Sequence, residues 1–268
     1  MPPESSPRTA LVETVRRAAV HLARNNPALI CTSYRLWKNR PIESWPSVLS
    51  KLYTIELPRA VVRRPFAAPS GDSNVNILFR FLQESRGIEG DVAECGVYLG
   101  ASIVPMAIYL EQHGIGKHIY GFDSFEGFDE SVAVDLALGG ADDPQKRVAG
   151  FSEASYERLA RKLRWFELHG RVSLVKGYFN RTLPRFSGHT FAFVHLDCDI
   201  YESYRETLEF FYPRVSTGGI ILFDEYNDPP WPGCNKAVDE FFSGKAEKPQ
   251  MIESDGYQKW FVRKESAE

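Results

Sequence analysis

Two short apolar runs in this chain each stop at a pair of acids. Phe191 to Leu196 leads into Asp197-Cys198-Asp199, and Gly219 to Phe223 leads into Asp224-Glu225. Brief apolar runs bounded by turn signals read as strands buried on both faces, the mark of a parallel sheet. If the two strands are neighbours, their four carboxylates meet at one sheet edge, outside the carboxyl ends, where open α/β sheets bind ligands. Acids gathered there repel one another unless something positive lies between them. A hard divalent cation is the simplest candidate.

The pattern around these runs agrees with such a sheet. From residue 73 onward, helical and strand periods alternate: a helix over 74–86, strand 92–97, helix 101–112, strand 118–122, helix 153–168 and strand 172–175. Ser152 and Ser155 are candidate caps for the helix over 153–168. Between the two acid-tipped strands a helix falls at about 203–212, with Ser203 as its candidate cap. A helix at 234–243 and strands near 249–253 and 257–263 close the chain, the last pair split by Asp255-Gly256, a hairpin signature. The expected fold is therefore α/β: a doubly wound, mostly parallel, seven-stranded sheet whose hairpin makes the last strand antiparallel.

Two domains are expected. Residues 1–72 form an extension that begins with an amphipathic helix over 9–26 and continues, rich in proline and aromatics, as a lid, a dimer contact or side packing. Residues 73–268 form the α/β domain. The segment 128–152 reads as a long loop.

The bulk numbers are those of a water-soluble protein. The net charge is -3, with 43% hydrophobic and 25% charged residues, giving no reason to expect a nucleic-acid or membrane partner. Arg59, Arg63 and Arg64 form a small basic group, read as a solvated or anion-facing surface rather than a nucleic-acid site. No stretch approaches the ~18 apolar residues of a membrane span, and the N-terminus lacks a secretory pattern. Cys31, Cys95, Cys198 and Cys234 form no C-x-x-C pair and read as reduced thiols, which points to the cytoplasm.

The first strand ends in Glu94-x-Gly96-x-x-x-Gly100, which then opens a helix through Ser102. The middle glycine that admits a pyrophosphate is absent. An acid at this position suits a ligand carrying an ammonium or sulfonium group. Asp123 ends the second strand and suits the two hydroxyls of a ribose. Together these describe S-adenosylmethionine better than NAD. After the third strand, Gly177-Tyr178-Phe179-Asn180 either shapes an adenine pocket or makes a plain turn. His195 alternates with Asp197 and is read first as a core histidine, with a catalytic base as the sharper alternative.

The runs Asp91 to Ser102, Gly121 to Phe128 and Leu196 to Ser203, with Leu183-Pro184, Tyr212-Pro213 and Gly218-Gly219, resemble the macrocin O-methyltransferase (TylF-like) family over about residues 73–243. The resemblance implies a class I methyltransferase that uses S-adenosylmethionine and Mg²⁺ to methylate a hydroxyl of a sugar or other small natural-product scaffold. It also implies a homodimer. Carried over by position, Asp197, Asp224 and Glu225 are the metal ligands and Asp199 the general base. Glu94, Gly96, Tyr98, Gly100, Ser102, Asp123, Ser124, Gly177 and Phe179 form the cofactor site. Two departures stand out: the family usually has Asp-Asp where this chain has Asp224-Glu225, and often has aspartate at Asn180. Two alternatives remain: an NAD- or nucleotide-sugar-dependent oxidoreductase, and a non-catalytic binding protein that keeps the fold.

Overall fold

The computed structural model describes residues 38–44, 73–128, 132–139, 151, 154–254 and 257–265. The helix expected over 9–26, most of the segment 27–72, the basic group Arg59/Arg63/Arg64 and the candidate cap Ser152 lie outside the described residues.

The elements run α1 (Ser73–Glu84), β1 (Asp91–Cys95), α2 (Ile103–Gln112), β2 (Ile119–Asp123), α3 (Ala133–Leu138), α4 (Tyr156–Trp165), β3 (Val172–Lys176), α5 (Phe179–Thr182), β4 (Phe191–Leu196), α6 (Tyr201–Phe211), β5 (Val215–Phe223), α7 (Pro232–Phe242), β6 (Gln250–Ser254) and β7 (Tyr257–Arg263). One sheet takes all seven strands in the order β3-β2-β1-β4-β5-β7-β6. The pairs from β3 through β5 are parallel, and β7 runs antiparallel to both β5 and β6. β6 and β7 pair as the expected hairpin, up to Ser254 opposite Tyr257; Asp255-Gly256, on which the sequence signal rests, lies outside the described residues.

Strand period divides the core. In β5, Ile220 and Leu222 join the cluster that holds α1, α2 and α4, while Ile221 and Phe223 join the cluster that holds α6 and α7. Helix α2 is buried on every face from Ile103 to Leu110 and emerges only at Glu111 and Gln112, as expected of a segment hydrophobic all round. Helix α4 is amphipathic. Leu159 and Leu163 face the core, and the Ser155 hydroxyl caps the helix by accepting from the Arg158 N–H at 3.4 Å. Residues 38–44 dock on the end of α2: Ile42 is buried, and its N–H donates to Gln112 Oε1 at 2.8 Å.

Two expectations need correction. The segment 128–152 is not all loop, because α3 folds within it. Ser203 is not a cap, because α6 begins two residues earlier, behind Ile200. Ile200 has no cap to offer. Asp135 of α3 supplies one from a distance, its two carboxylate oxygens accepting from the Tyr201 N–H at 3.2 and 3.1 Å.

Candidate active site

Parallel pairing brings the strand exits together. Beyond the last paired residues, Gly96 N–H donates to Phe122 O, Asp197 N–H to Cys95 O, Asp224 N–H to Leu196 O and Gly177 N–H to Asp123 O, all at 2.9 Å. The chain turns sharply just past these ends. Tyr98, Phe125, Asp199 and Asn227 all have positive φ, at 42°, 54°, 63° and 65°. Non-glycine residues held in the left-handed region cost energy and gather where a site imposes its geometry.

A cavity of about 200 Å³ opens over these exits. Gly96, Tyr98, Ser102, Asp123, Ser124, Gly177 and Phe179 line it, and so do Asp197 and Asp199. Two residues assigned to the cofactor do not. Gly100 packs toward α4, where an added Cβ would lie 2.5 Å from Leu159 Cδ1. Glu94 is fully buried, with Oε1 2.9 Å from His195 Nδ1. The Asp123 carboxylate ties two loops together, accepting the N–H of Tyr98 at 2.8 Å and of Phe125 at 2.6 Å. Ser124 closes its own turn by donating to Gly127 O at 2.6 Å.

One oxygen each from Asp197, Asp224 and Glu225 lies within 4.8 Å of the others. Burial raises the Asp197 carboxyl well above the usual range, and the charges of Asp224 and Glu225 add to the rise. Glu225 is raised likewise, by burial and then by Asp199 and Asp224. Its carboxylate also meets the Tyr204 hydroxyl, which lies 2.8 Å from the Leu196 carbonyl. Asp224 behaves oppositely. Burial would raise it, but Lys259 and His195 outweigh burial and hold it well below the usual range. Burial would lower the His195 imidazole, yet its contacts with Asp224 and Glu94 push it up to about 10. Two carboxyls raised by burial and then by crowding, beside a third held as an anion, suit a hard divalent ion, so the residues present fit one. Glu225, the departure from Asp-Asp, lies inside this set. Asp224 and Glu225 stand behind the cavity wall, outside its lining.

The model of the macrocin O-methyltransferase (TylF) family matches residues 77–263. The chain belongs to that family. Demethyldecarbamoylnovobiocin O-methyltransferase of Streptomyces niveus is 33% identical over 156 residues, covering 58% of each chain. The 8-demethyl-8-(2,3-dimethoxy-alpha-L-rhamnosyl)-tetracenomycin-C 4'-O-methyltransferase of Streptomyces olivaceus is 31% identical over 175 residues, covering 63% of this chain and 64% of that one. The match thus spans about three fifths of these relatives' length. The solved O-methyltransferase NovP has a TM-score of 0.61 at 28% identity, covering 72% of this chain and 80% of that chain.

Around this TylF-family site, the structure adds residues that sequence reasoning passed over. Phe128, Phe151, Glu202 and Glu206 line the cavity, and Phe151 packs edge-on against both Tyr98 and Phe128. Lys259 reaches Asp224 from β7 at 2.7 Å. Its one readable signal is a lysine inside a strand, just before the apolar run Trp260-Phe261-Val262. Asp135 sits in a notch that only glycine leaves open, since a Cβ on Gly233 would lie 1.7 Å from Asp135 Oδ1. Nothing local marks this aspartate, because its partners are 66 and 98 positions away.

Burial pushes the Asp135 carboxyl up from 3.8 to about 6, outweighing the Tyr201 N–H that favours the anion. Over that window the native state binds more proton than the unfolded chain, so this group's contribution to stability falls as pH rises. Asp135→Asn is expected to remove that part of the pH dependence, read as the difference in urea midpoint between variant and parent from pH 4 to 7. Asp135→Ala, which also loses the cap, is expected to cost about 0.5–2 kcal/mol.

Proposed function

We propose that the protein transfers the methyl group of S-adenosylmethionine to a hydroxyl of a sugar or other small natural-product scaffold, with Mg²⁺ at the acid cluster. The observation that carries this reading is the placement of an open cavity directly against Asp197 and Asp199, with Asp224 and Glu225 behind them. Among the described residues, the charged side chains lining the cavity are all acids: Asp123, Asp197, Asp199, Glu202 and Glu206. Such a lining favours a sulfonium and an ammonium, and among the described residues it offers no cationic side chain to a pyrophosphate. This counts against the NAD alternative.

In this reading the residues divide the work. Gly96 lets the β1 exit pass close to the cofactor, and the remaining lone pairs of Asp123 face the ribose hydroxyls. Tyr178, Phe179 and Asn180 form the adenine wall. Phe128 and Phe151 bound the acceptor side. Methyl transfer from a sulfonium is an in-line displacement, so much of the rate comes from holding the hydroxyl oxygen behind the methyl carbon. A magnesium ion held by Asp197, Asp224 and Glu225 would supply Lewis acidity toward the acceptor hydroxyl. Asp199 takes the hydroxyl proton. Burial and then Asp197 and Asp224 raise its carboxyl well above the usual range, which makes it a stronger base than an exposed aspartate. Glu94 acts at one remove, by holding His195 against Asp224.

The same proposal covers the rest of the chain. Residues 1–72 serve as an extension to the catalytic unit 73–268, the assembly is a homodimer, and the protein works in the cytoplasm, where Cys95, Cys198 and Cys234 stay as buried thiols. No helix among the described residues is long and apolar enough to cross a membrane.

Calorimetry tests the cofactor. S-adenosylmethionine is expected to bind with micromolar affinity and NAD to give no heat. Binding of NAD alone would sink the reading. Full methyl transfer in excess chelator would remove the metal from it.

A further inference from the structure

Asp224 Oδ1 has two basic side chains beside it. Lys259 Nζ lies 2.7 Å from Oδ1 and also donates to the Asp224 backbone carbonyl at 2.8 Å. His195 Nε2 approaches the same Oδ1 at 3.6 Å. The two are not equivalent. His195 is fully buried, and its other nitrogen lies 2.9 Å from Glu94 Oε1. Lys259 has Asp224 as its one ion-pair partner among the described residues, and its side chain is only 12% exposed.

The fold explains why the lysine is there. In the antiparallel β5–β7 ladder Trp260 stands opposite Phe223, so the preceding residue of β7, Lys259, falls beside Asp224 at the strand exit. A lysine with no task would carry its ammonium to water along its flexible stem. This one turns inward to a carboxylate that crowds two others. Neither Lys259 nor His195 lines the cavity, so neither is placed to touch cofactor or acceptor.

We infer that Lys259 is the resident counter-ion of the carboxylate cluster, a positioning residue that fixes Asp224 and weakens the cluster's hold on a divalent cation. The inference rests on reading Asp197, Asp224 and Glu225 as metal donors. Three crowded carboxylates, Glu225 buried and Asp197 and Asp224 half-buried, repel one another without a cation, and a fixed ammonium holds them together while no ion is bound. The same ammonium repels an incoming divalent ion. The donors therefore stay assembled, and the ion remains exchangeable.

The experiment compares the full-length protein with Lys259→Met, which keeps the stem and removes the charge, and with Lys259→Arg, which keeps the charge. Mg²⁺ affinity is read by calorimetry, and melting temperature is read with and without Mg²⁺. Lys259→Met is expected to bind Mg²⁺ roughly tenfold or more tightly, the least expected from removing a unit charge a few ångströms from the ion. Its metal-free melting temperature is expected to fall, and Mg²⁺ is expected to raise it by more than in the parent. Lys259→Arg is expected to keep the parent affinity. A lysine that only packs would lower stability without tightening the ion. Unchanged or weaker Mg²⁺ affinity in a folded Lys259→Met overturns the inference. If that variant does not fold, Lys259→Gln is measured in the same way, and failure of both to fold even in Mg²⁺ also overturns it. Equal affinity in all the proteins rejects the role of Lys259 alone. No uptake by any of them rejects the donor set, and the role falls with it.

Discussion

Asp197→Asn is expected to lose about a thousandfold in turnover number while its affinity for S-adenosylmethionine changes little. Lewis-acid assistance contributes several kcal/mol to the transition state, and each 1.4 kcal/mol is about tenfold in rate. Asp197 is central to the donor set: it belongs to the Asp197/Asp224/Glu225 group and also to a Glu94/His195/Asp197 group. The amide keeps the shape and removes the charge. A second, opposite effect separates this loss from simple damage. Asp197 is raised well above its usual range because it is buried against Asp224 and Glu225, so its ionisation works against the metal-free fold. Removing it is expected to raise the metal-free melting temperature by a few degrees while Mg²⁺ no longer raises it further. Lower activity together with a lower melting temperature would mean that the carboxylate is structural. Asp199→Asn provides the contrast, with turnover lost but Mg²⁺ binding kept. Single-turnover kinetics and thermal melts of the two variants, side by side, decide the matter.

Gly96→Ala is expected to be the most damaging single-methyl change at the site. Gly96 has φ 89°, and an added Cβ would lie 1.6 Å from the Asp197 carbonyl oxygen and 2.7 Å from its carbonyl carbon. Both are backbone atoms of the neighbouring strand exit, so no side-chain rotation relieves the clash. Overpacking costs about 1–3 kcal/mol, and a left-handed alanine adds roughly 1–2 kcal/mol. Against a typical stability of about 5–15 kcal/mol this is a large share. The β1 and β4 exits must part, which opens the cavity floor and displaces Asp197. The expected result is a urea midpoint that falls sharply and loss of both S-adenosylmethionine and Mg²⁺ binding. Gly188→Ala is the control: nothing lies within 4 Å of its Cβ, and it is expected to behave as the parent. Similar stability in the two variants would show that the exits are not in contact.

Much of the site was legible because it sits at strand ends. A buried parallel strand announces itself as an apolar run, and the residue after the run must lie at the carboxyl edge. That logic places Gly96, Asp123, Asp197 and Asp199 at the cavity without coordinates. It fails for Glu94, which lies one residue deeper than a cavity ligand needs and therefore points into the sheet, where it meets His195. It fails for the α6 cap as well. Ser203 had the right chemistry near the right place, but the helix begins earlier and Asp135 caps it.

The sequence by itself determined the order of strands and helices, the edge at which the acids collect and the family to which the chain belongs. These depend on period and on spacing along the chain. Only the tertiary structure decided which carboxylates carry opposite tendencies. Asp197, Asp224 and Glu225 read alike in one dimension. Asp224 alone meets Lys259 and His195, which arrive from β7 and β4 through sheet register, and so it stays an anion while its two neighbours are pushed toward holding protons. Charge at a buried site depends on distance across strands, and neither composition nor motif spacing encodes that distance.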